Sequence, residues 1–137
     1  MSEHPARAAS KRSMAAVGAK DRAAWLALFA PDGCVEDPVG PSAFDPTGQG
    51  HRGREAIGAF YDATIAGLDS VAFDIVDSFA AGQEVANVGT ITMTFPGGGT
   101  ARCEGVFVYR VNDEGQLVSL RAFWEMDRLL ATMSQPG

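Results

Sequence analysis

The sequence predicts an α+β fold, with helices in the first half of the chain and antiparallel strands in the second. Two observations carry this reading. Apolar residues recur at helical spacing up to about Leu68, and beyond it the period switches to two. Two turn sequences, Gly97-Gly98-Gly99 and Asn112-Asp113-Glu114-Gly115, then join successive alternating runs as hairpins. Helices gathered before strands, rather than alternating with them, give the α+β order. A curved sheet of about four to six strands must cover its apolar face with these helices. Wrapped around the longest helix, such a sheet makes a cone with an open mouth and a pocket inside.

The elements follow in chain order. At 137 residues, with 46% hydrophobic and 20% charged residues, the chain is sized and composed as one globular domain. Residues 1–7 are expected to be a disordered tail and 8–137 the domain. From Ala8 to Ala19 the chain is Ala-rich, with Met14 and Val17 on one face, which predicts a first helix ending near Gly18. Asp21 reads as the N-cap of a second, short helix carrying Trp25, Leu28 and Phe29 at helical spacing. The turn sequence Pro31-Asp32-Gly33 is expected to end it. Cys34 to Pro38 reads as extended, because a proline pushes the residue before it out of the helical region. Asp37 therefore stands at a strand end. Val39 to Gly53, rich in Gly, Pro and Ser, is a long loop of the kind that often carries function.

Arg54 to Leu68 has the most continuous helical face, through Ile57, Phe60, Tyr61, Thr64 and Ile65. Strands are expected at Val71–Ser78, Val85–Phe95, Ala101–Val111 and Leu117–Met126. Alternation puts Phe107 and Tyr109 on one face of the third of these, and Leu120, Ala122 and Trp124 on one face of the fourth. Arg110 and Arg121 then point the other way. An aromatic stripe in a small domain is most often plain core. Here, however, the Tyr109 hydroxyl and the Trp124 indole N–H each need a partner when buried, and a pocket supplies one.

Composition excludes several function classes. The net charge of -6 and a pI near 4.7 argue against nucleic acid, whose phosphates call for clustered Lys and Arg. No stretch approaches the ~18 apolar residues of a membrane span. The N-terminal segment lacks the continuous apolar run of a signal peptide. Cys34 and Cys103 form no CxxC pair, so a reduced, cytoplasmic location is expected. No metal or other cofactor is expected. His4 and His51 are far apart in sequence, there is no HExxH or EF-hand pattern, and Gly97-Gly98-Gly99 lacks the Lys and helix of a phosphate loop.

That leaves carboxylates, and Asp37 stands out. It lies beside Pro38, with Gly40 and Pro41 restricting the loop beyond. A carboxylate at the edge of an apolar cavity is partly desolvated, so its pKa rises. It can then take a proton from a carbon acid held against an aromatic wall. The bland reading makes Asp37 a turn or cap residue.

The run Phe29-Ala30-Pro31-Asp32-Gly33-Cys34-Val35-Glu36-Asp37-Pro38-Val39-Gly40 resembles the segment of bacterial ketosteroid isomerases that carries their catalytic aspartate. Gly53-Arg54-Glu55-Ala56-Ile57-Gly58-Ala59-Phe60-Tyr61 resembles their third helix, and the stretch from Val111 to Ala122 resembles their final hairpin. The resemblance extends more broadly to the superfamily of nuclear transport factor 2, SnoaL-like polyketide cyclases and scytalone dehydratase. It implies a cone-shaped, curved mixed sheet wrapped around helices (the nuclear transport factor 2-like or cystatin-like fold), a deep apolar pocket for a small steroid-like ligand, and a homodimer. By position it implies catalytic roles for Asp37 and Tyr61. Ser13, Val39, Phe60 and Phe107 are implied as substrate-binding residues, together with Tyr109, Ala122 and Trp124.

Two departures accompany these matches. The isomerases stabilise their dienolate with a tyrosine and a protonated aspartic acid, a case well established in general. Those positions fall at Ser13 and Phe107. The base is kept, and the familiar oxyanion hole is replaced. Three functions follow from this pattern: an isomerase-like enzyme using Asp37, a steroid- or polyketide-binding protein without turnover, or another superfamily reaction such as cyclisation, dehydration or epoxide opening. Dehydration would call on a histidine near the base, for which His51 is the candidate.

Overall fold

The structure is a computed structural model and describes residues 3–134. The first helix, α1 (Pro5–Gly18), begins before the expected start at Ala8. The reason is local: Pro5 occupies the first turn, where its missing N–H costs nothing, and the His4 side chain accepts a hydrogen bond from the Ala6 N–H. Residues 5–7 thus belong to the helix rather than to a tail, and Ala6 is fully buried. The tail expected at positions 1 and 2 lies outside the described residues.

Asp21 caps α2 (Arg22–Ala27), its Oδ1 accepting from the Ala24 N–H at 3.1 Å. The chain then enters β1 (Phe29–Glu36) earlier than the turn sequence suggests. Pro31-Asp32-Gly33 is not a loop. It is an irregularity within β1, where the register against the neighbouring strand shifts between Phe29 and Cys34. The loop after β1 returns through a short strand, β2 (His51–Arg52), to α3 (Arg54–Thr64), which stops short of Leu68.

Four long strands follow: β3 (Ser70–Ala81), β4 (Glu84–Thr94), β5 (Thr100–Val111) and β6 (Leu117–Phe123). The six strands form one sheet in the order β2-β1-β6-β5-β4-β3. All pairs are antiparallel except β1 with β6, so the sheet is mixed.

Curvature has identifiable sources. Gly89 and Gly105 face each other across β4 and β5. A Cβ at Gly105 would collide with the Phe123 carbonyl, and one at Gly89 with the Asp74 carbonyl. Close backbone approach at this point, with the register irregularity of β3 between Ile75 and Asp77, lets the sheet bend.

The expected strand to Met126 ends at Phe123, and a helix that the sequence reading missed, α4 (Met126–Ala131), follows. Because β6 pairs with β5 only as far as Val106, the edge of β5 from Thr100 to Gly105 lacks a strand neighbour on that side. The chain after β6 covers it. Thr132 Oγ1 accepts from the Arg102 N–H at 2.7 Å, Ser134 bridges Thr100, and Arg128 pairs with Glu104 at 3.2 Å.

Inside the cone, α1 is fastened to the sheet by a buried polar chain. Asn87 Nδ2 donates to Ser10 Oγ at 3.1 Å, and Ser78 Oγ donates to Asn87 Oδ1 at 2.7 Å. Arg7 Nε donates to Ser78 Oγ at 3.0 Å. With Asn87 and Ser10 both buried, each unmade bond would cost about 1–3 kcal/mol, so the satisfied chain fixes how α1 lies. Ser13 follows one turn after Ser10 and faces the interior of the cone.

Candidate active site

The cone encloses a cavity of about 370 Å³, toward the lower end of the roughly 300–1,000 Å³ that small-molecule sites occupy. Its wall is almost wholly apolar. The polar side chains that reach it are Ser13, Asp37, Thr64, Cys103, Tyr109 and Trp124. Thr64 is already committed, its hydroxyl donating to the Phe60 carbonyl at 2.8 Å.

Asp37 directly follows β1, where Glu36 is in register with Arg121 of β6 and the Val39 N–H donates to the Ala122 carbonyl at 2.9 Å. Those contacts fix the backbone on both sides of Asp37 and turn its side chain into the cavity. Trp124, just beyond β6, donates its indole N–H to Asp37 Oδ1 at 2.5 Å. Burial raises the Asp37 pKa above the ordinary carboxylate range. The Trp124 hydrogen bond and the nearby His51 charge oppose that rise without cancelling it. The result is a carboxylate that holds a proton more tightly than a solvated aspartate and is kept in place by one donor.

Tyr109 of β5 is in register with Leu120 of β6, and Phe107 with Ala122, so the predicted shared face exists. Burial pushes the Tyr109 phenol up, and the charge of Asp37 adds to the push. Its hydroxyl therefore keeps its proton and is available as a donor. The Ser13 hydroxyl lies close enough to the phenol to oppose the rise. Ser13 in turn accepts from the Trp25 indole N–H at 2.9 Å. An indole nitrogen only donates, so the Ser13 proton is free for another acceptor, and the neighbouring Tyr109 oxygen can supply one. The Cys103 thiol, also on the wall, is pushed up to about 12 by burial and by Asp37, so it stays protonated.

Among the residues expected at the site, Asp37, Ser13, Phe60, Phe107, Tyr109 and Trp124 line the cavity. Tyr61, Val39 and Ala122 do not. Tyr61 is buried against Trp25 with ring centroids 5.7 Å apart. Burial raises its pKa, and the charges that act on it are those of Asp21, Arg22 and Asp62, away from Asp37. Helical spacing puts Phe60 and Tyr61 on one broad face, but only Phe60 points at the cavity. Val39 serves through its backbone, and Ala122 is fully buried beneath the wall. His51 is packed against Phe60 at 4.9 Å with its Nε2 buried and unbonded, and it too lies off the cavity wall.

The sequence reading missed Trp25, Phe44, Cys103 and the apolar residues of the α4 segment. Ile91, Met93 and Phe95, which alternate along and just after β4, complete the wall with Phe73 of β3. Their period of two was legible, but which sheet face turns inward was not.

Comparison with known proteins places this geometry. The chain is 34% identical over 126 residues to a steroid Delta-isomerase of Nocardioides simplex, covering 92% of this chain and 94% of the relative. The fold superposes on the Delta 5-3-ketosteroid isomerase of Mycobacterium sp. with a TM-score of 0.86 and 39% identity, over 96% of this chain and 98% of that one. It also superposes on RV0760c of Mycobacterium tuberculosis, solved in complex with estradiol-17beta-hemisuccinate, with a TM-score of 0.83 and 38% identity over 96% and 99% of the two chains. The mixed sheet, the enclosed apolar cavity and these relatives agree with a family model for the SnoaL-like domain that matches residues 11–120, and the chain belongs to that family.

Proposed function

We propose that this protein is an isomerase that moves a proton within a hydrophobic, steroid-like ketone, with Asp37 as the base. The observation that carries the reading is a desolvated carboxylate and a neutral phenol on the wall of one apolar cavity. Asp37 takes the proton from the carbon between the carbonyl and an isolated double bond. The C–H electrons move into the enolate system, and negative charge gathers on the carbonyl oxygen. Tyr109, backed by Ser13 and Trp25, donates a hydrogen bond to that oxygen. Asp37 then returns the same proton to the far end of the double bond, giving the conjugated ketone with no net loss of atoms or charge. Tyr109 thus stands in for the donors lost at Ser13 and Phe107.

The steroid-like ligand class draws support from the isomerase relatives and from the steroid-bound RV0760c structure. The test is an assay with a β,γ-unsaturated 3-ketosteroid, followed by the ultraviolet absorbance of the conjugated product. Turnover supports the reading. Saturable binding of the conjugated ketone without turnover supports a ligand carrier instead, which the apolar Phe107 at an oxyanion position favours. The observation that bears on dehydration is His51, which is near enough for its charge to act on Asp37 although it does not line the cavity.

Trp124 provides a sharper probe of Asp37. Its hydrogen bond favours the ionised carboxylate, and bonds to charged groups contribute about 1.5–3 kcal/mol. In Trp124→Phe the Asp37 pKa is expected to climb further, moving the acid limb of kcat/KM upward by about 1–2 pH units. An unmoved limb would mean that another group sets it.

We also propose a cytoplasmic homodimer. Both cysteines are free thiols, which supports the compartment. On the outer face of the sheet, Val76 and Phe79 are 72% and 62% exposed and Phe123 is 42% exposed. In register, Phe79 meets Ala86 and Val108, and Phe123 meets Val106 and Val88, with Arg121 and Asp77 closing the two rows. Sedimentation is expected to give a dimer at micromolar concentration that Phe79→Asp dissociates. A monomeric wild type removes the proposal.

A further inference from the structure

The polar side chains of the cavity are not spread evenly. Tyr109 and Ser13 lie where the later half of β5 meets α1, and Asp37 with Trp124 lies farther along the wall, Trp124 beside Gly105 and the Asp37 charge acting on Cys103. The other end is reached along β5 toward Ala101, in register with Met93 of β4, roughly 26 Å from Tyr109 at about 3.3 Å per residue. There α4 and the residues after it lie along the free edge of β5, tied down by Thr132, Ser134 and Arg128. Beyond Cys103, no carboxylate, amide or free hydroxyl side chain among the described residues reaches the cavity at that end.

Two cavity-lining residues of this segment are also open to solvent: Leu130 at 51% and Met133 at 43% exposed. Phe44, on the loop that follows Asp37, lines the cavity and is 41% exposed. A side chain that both lines a cavity and meets solvent stands at its mouth. These large apolar groups therefore form a collar at the mouth that continues the apolar wall outward. Solvated apolar surface at a ligand entrance lowers stability unless something covers it in the working state.

We propose that this collar seats an alkyl side chain projecting from the end of the ligand opposite its carbonyl, so that the preferred ligand class is a sterol-like ketone with its side chain intact. The orientation of the ligand rests on the proton-transfer reading, which places the carbonyl at Tyr109. The carbonyl end meets the Tyr109 hydroxyl, and the fused rings fill the closed part of the cavity. The side chain then leaves along Leu130, Met133 and Phe44.

The test is binding, without turnover, of a matched pair of conjugated ketones: androst-4-en-3-one, which lacks the side chain, and cholest-4-en-3-one, which carries it. Both are supplied from cyclodextrin and followed by quenching of tryptophan fluorescence. Each buried methylene strengthens binding by about four-fold, so even partial cover of the chain should favour cholest-4-en-3-one by at least ten-fold. Leu130→Ser and Met133→Ser should erase most of that preference while leaving the Kd of androst-4-en-3-one within about two-fold. Equal affinity of the two ketones in wild type overturns the proposal. So does a collar variant that weakens both ligands alike, or one that changes the oligomeric state and not the preference. Because the conjugated ketones need no Asp37 chemistry, loss of isomerase activity elsewhere leaves this result readable.

Discussion

Asp37→Asn is expected to reduce kcat for the β,γ-unsaturated ketone by about 10²–10⁴, the range that a positioned general base supplies. The amide oxygen can still accept from the Trp124 indole, so the geometry survives while the proton acceptor is gone. Stability should move the other way. Burial raises the folded-state pKa of Asp37 above its unfolded value of 3.8, so across the window between the two the folded chain binds more protons than the unfolded chain. Stability therefore falls as pH rises through that window, and at neutral pH the ionised, desolvated carboxylate destabilises the fold. The asparagine variant escapes this cost. Its thermal midpoint at neutral pH should equal or exceed that of wild type, and its dependence on acid pH should be flatter. Thermal melts against pH, run beside the kinetic assay, check both arms. A variant that loses activity and also loses stability would mean that Asp37 acts as a turn residue, the bland reading of its position before Pro38.

For Tyr109→Phe, kcat and kcat/KM are expected to fall together by about 10²–10³, or about 2.7–4 kcal/mol of transition-state stabilisation. The change removes one oxygen from a buried ring and leaves the packing between Phe107, Leu120 and α1 intact, so binding of the conjugated product should change little. Ser13→Ala should produce a smaller loss in the same direction, because it removes the group that orients the phenol rather than the phenol itself. The pH profile adds a check. Burial and the Asp37 charge hold the phenol well above its ordinary range, so Tyr109 should contribute no alkaline limb below about pH 10, the unperturbed tyrosine value. If Tyr109→Phe turns over at the wild-type rate, the oxyanion donor lies elsewhere on the wall and the Trp25–Ser13–Tyr109 chain is structural.

The order of elements was legible because it rests on periodicity. The helical face from Ile57 to Ile65, the alternation along Phe107 to Tyr109, and the turn chemistry of Asn112 to Gly115 are all local, and local chemistry survives into the fold. Asp37 could be singled out for the same reason, since Pro38 dictates an extended residue before it. The errors fall where a distant partner decides. Pro31-Asp32-Gly33 has the composition of a loop, yet the pairing of Phe29 and Cys34 with β6 on either side keeps it within a strand. Residues beyond Phe123 alternate like a strand for a few positions, but β5 beyond Val106 gains no strand there and the chain turns into α4.

By itself, then, the sequence determined the α+β order, the candidate base and the aromatic face that meets it, because each follows from spacing between near neighbours. Only the tertiary structure decided which polar groups share a cavity with that carboxylate. Tyr61 and Tyr109 are both tyrosines on faces that the sequence marks as buried. Tyr61, on α3, packs behind the wall against Trp25, and Tyr109, on β5, stands on the wall near Ser13, because the seat of α3 on α2, the sheet curvature at Gly89 and Gly105 and the clamp of Ser10 on Asn87 set the angle at which each ring meets the cavity. That angle is a property of contacts between residues far apart in the chain, and spacing between neighbours cannot encode it.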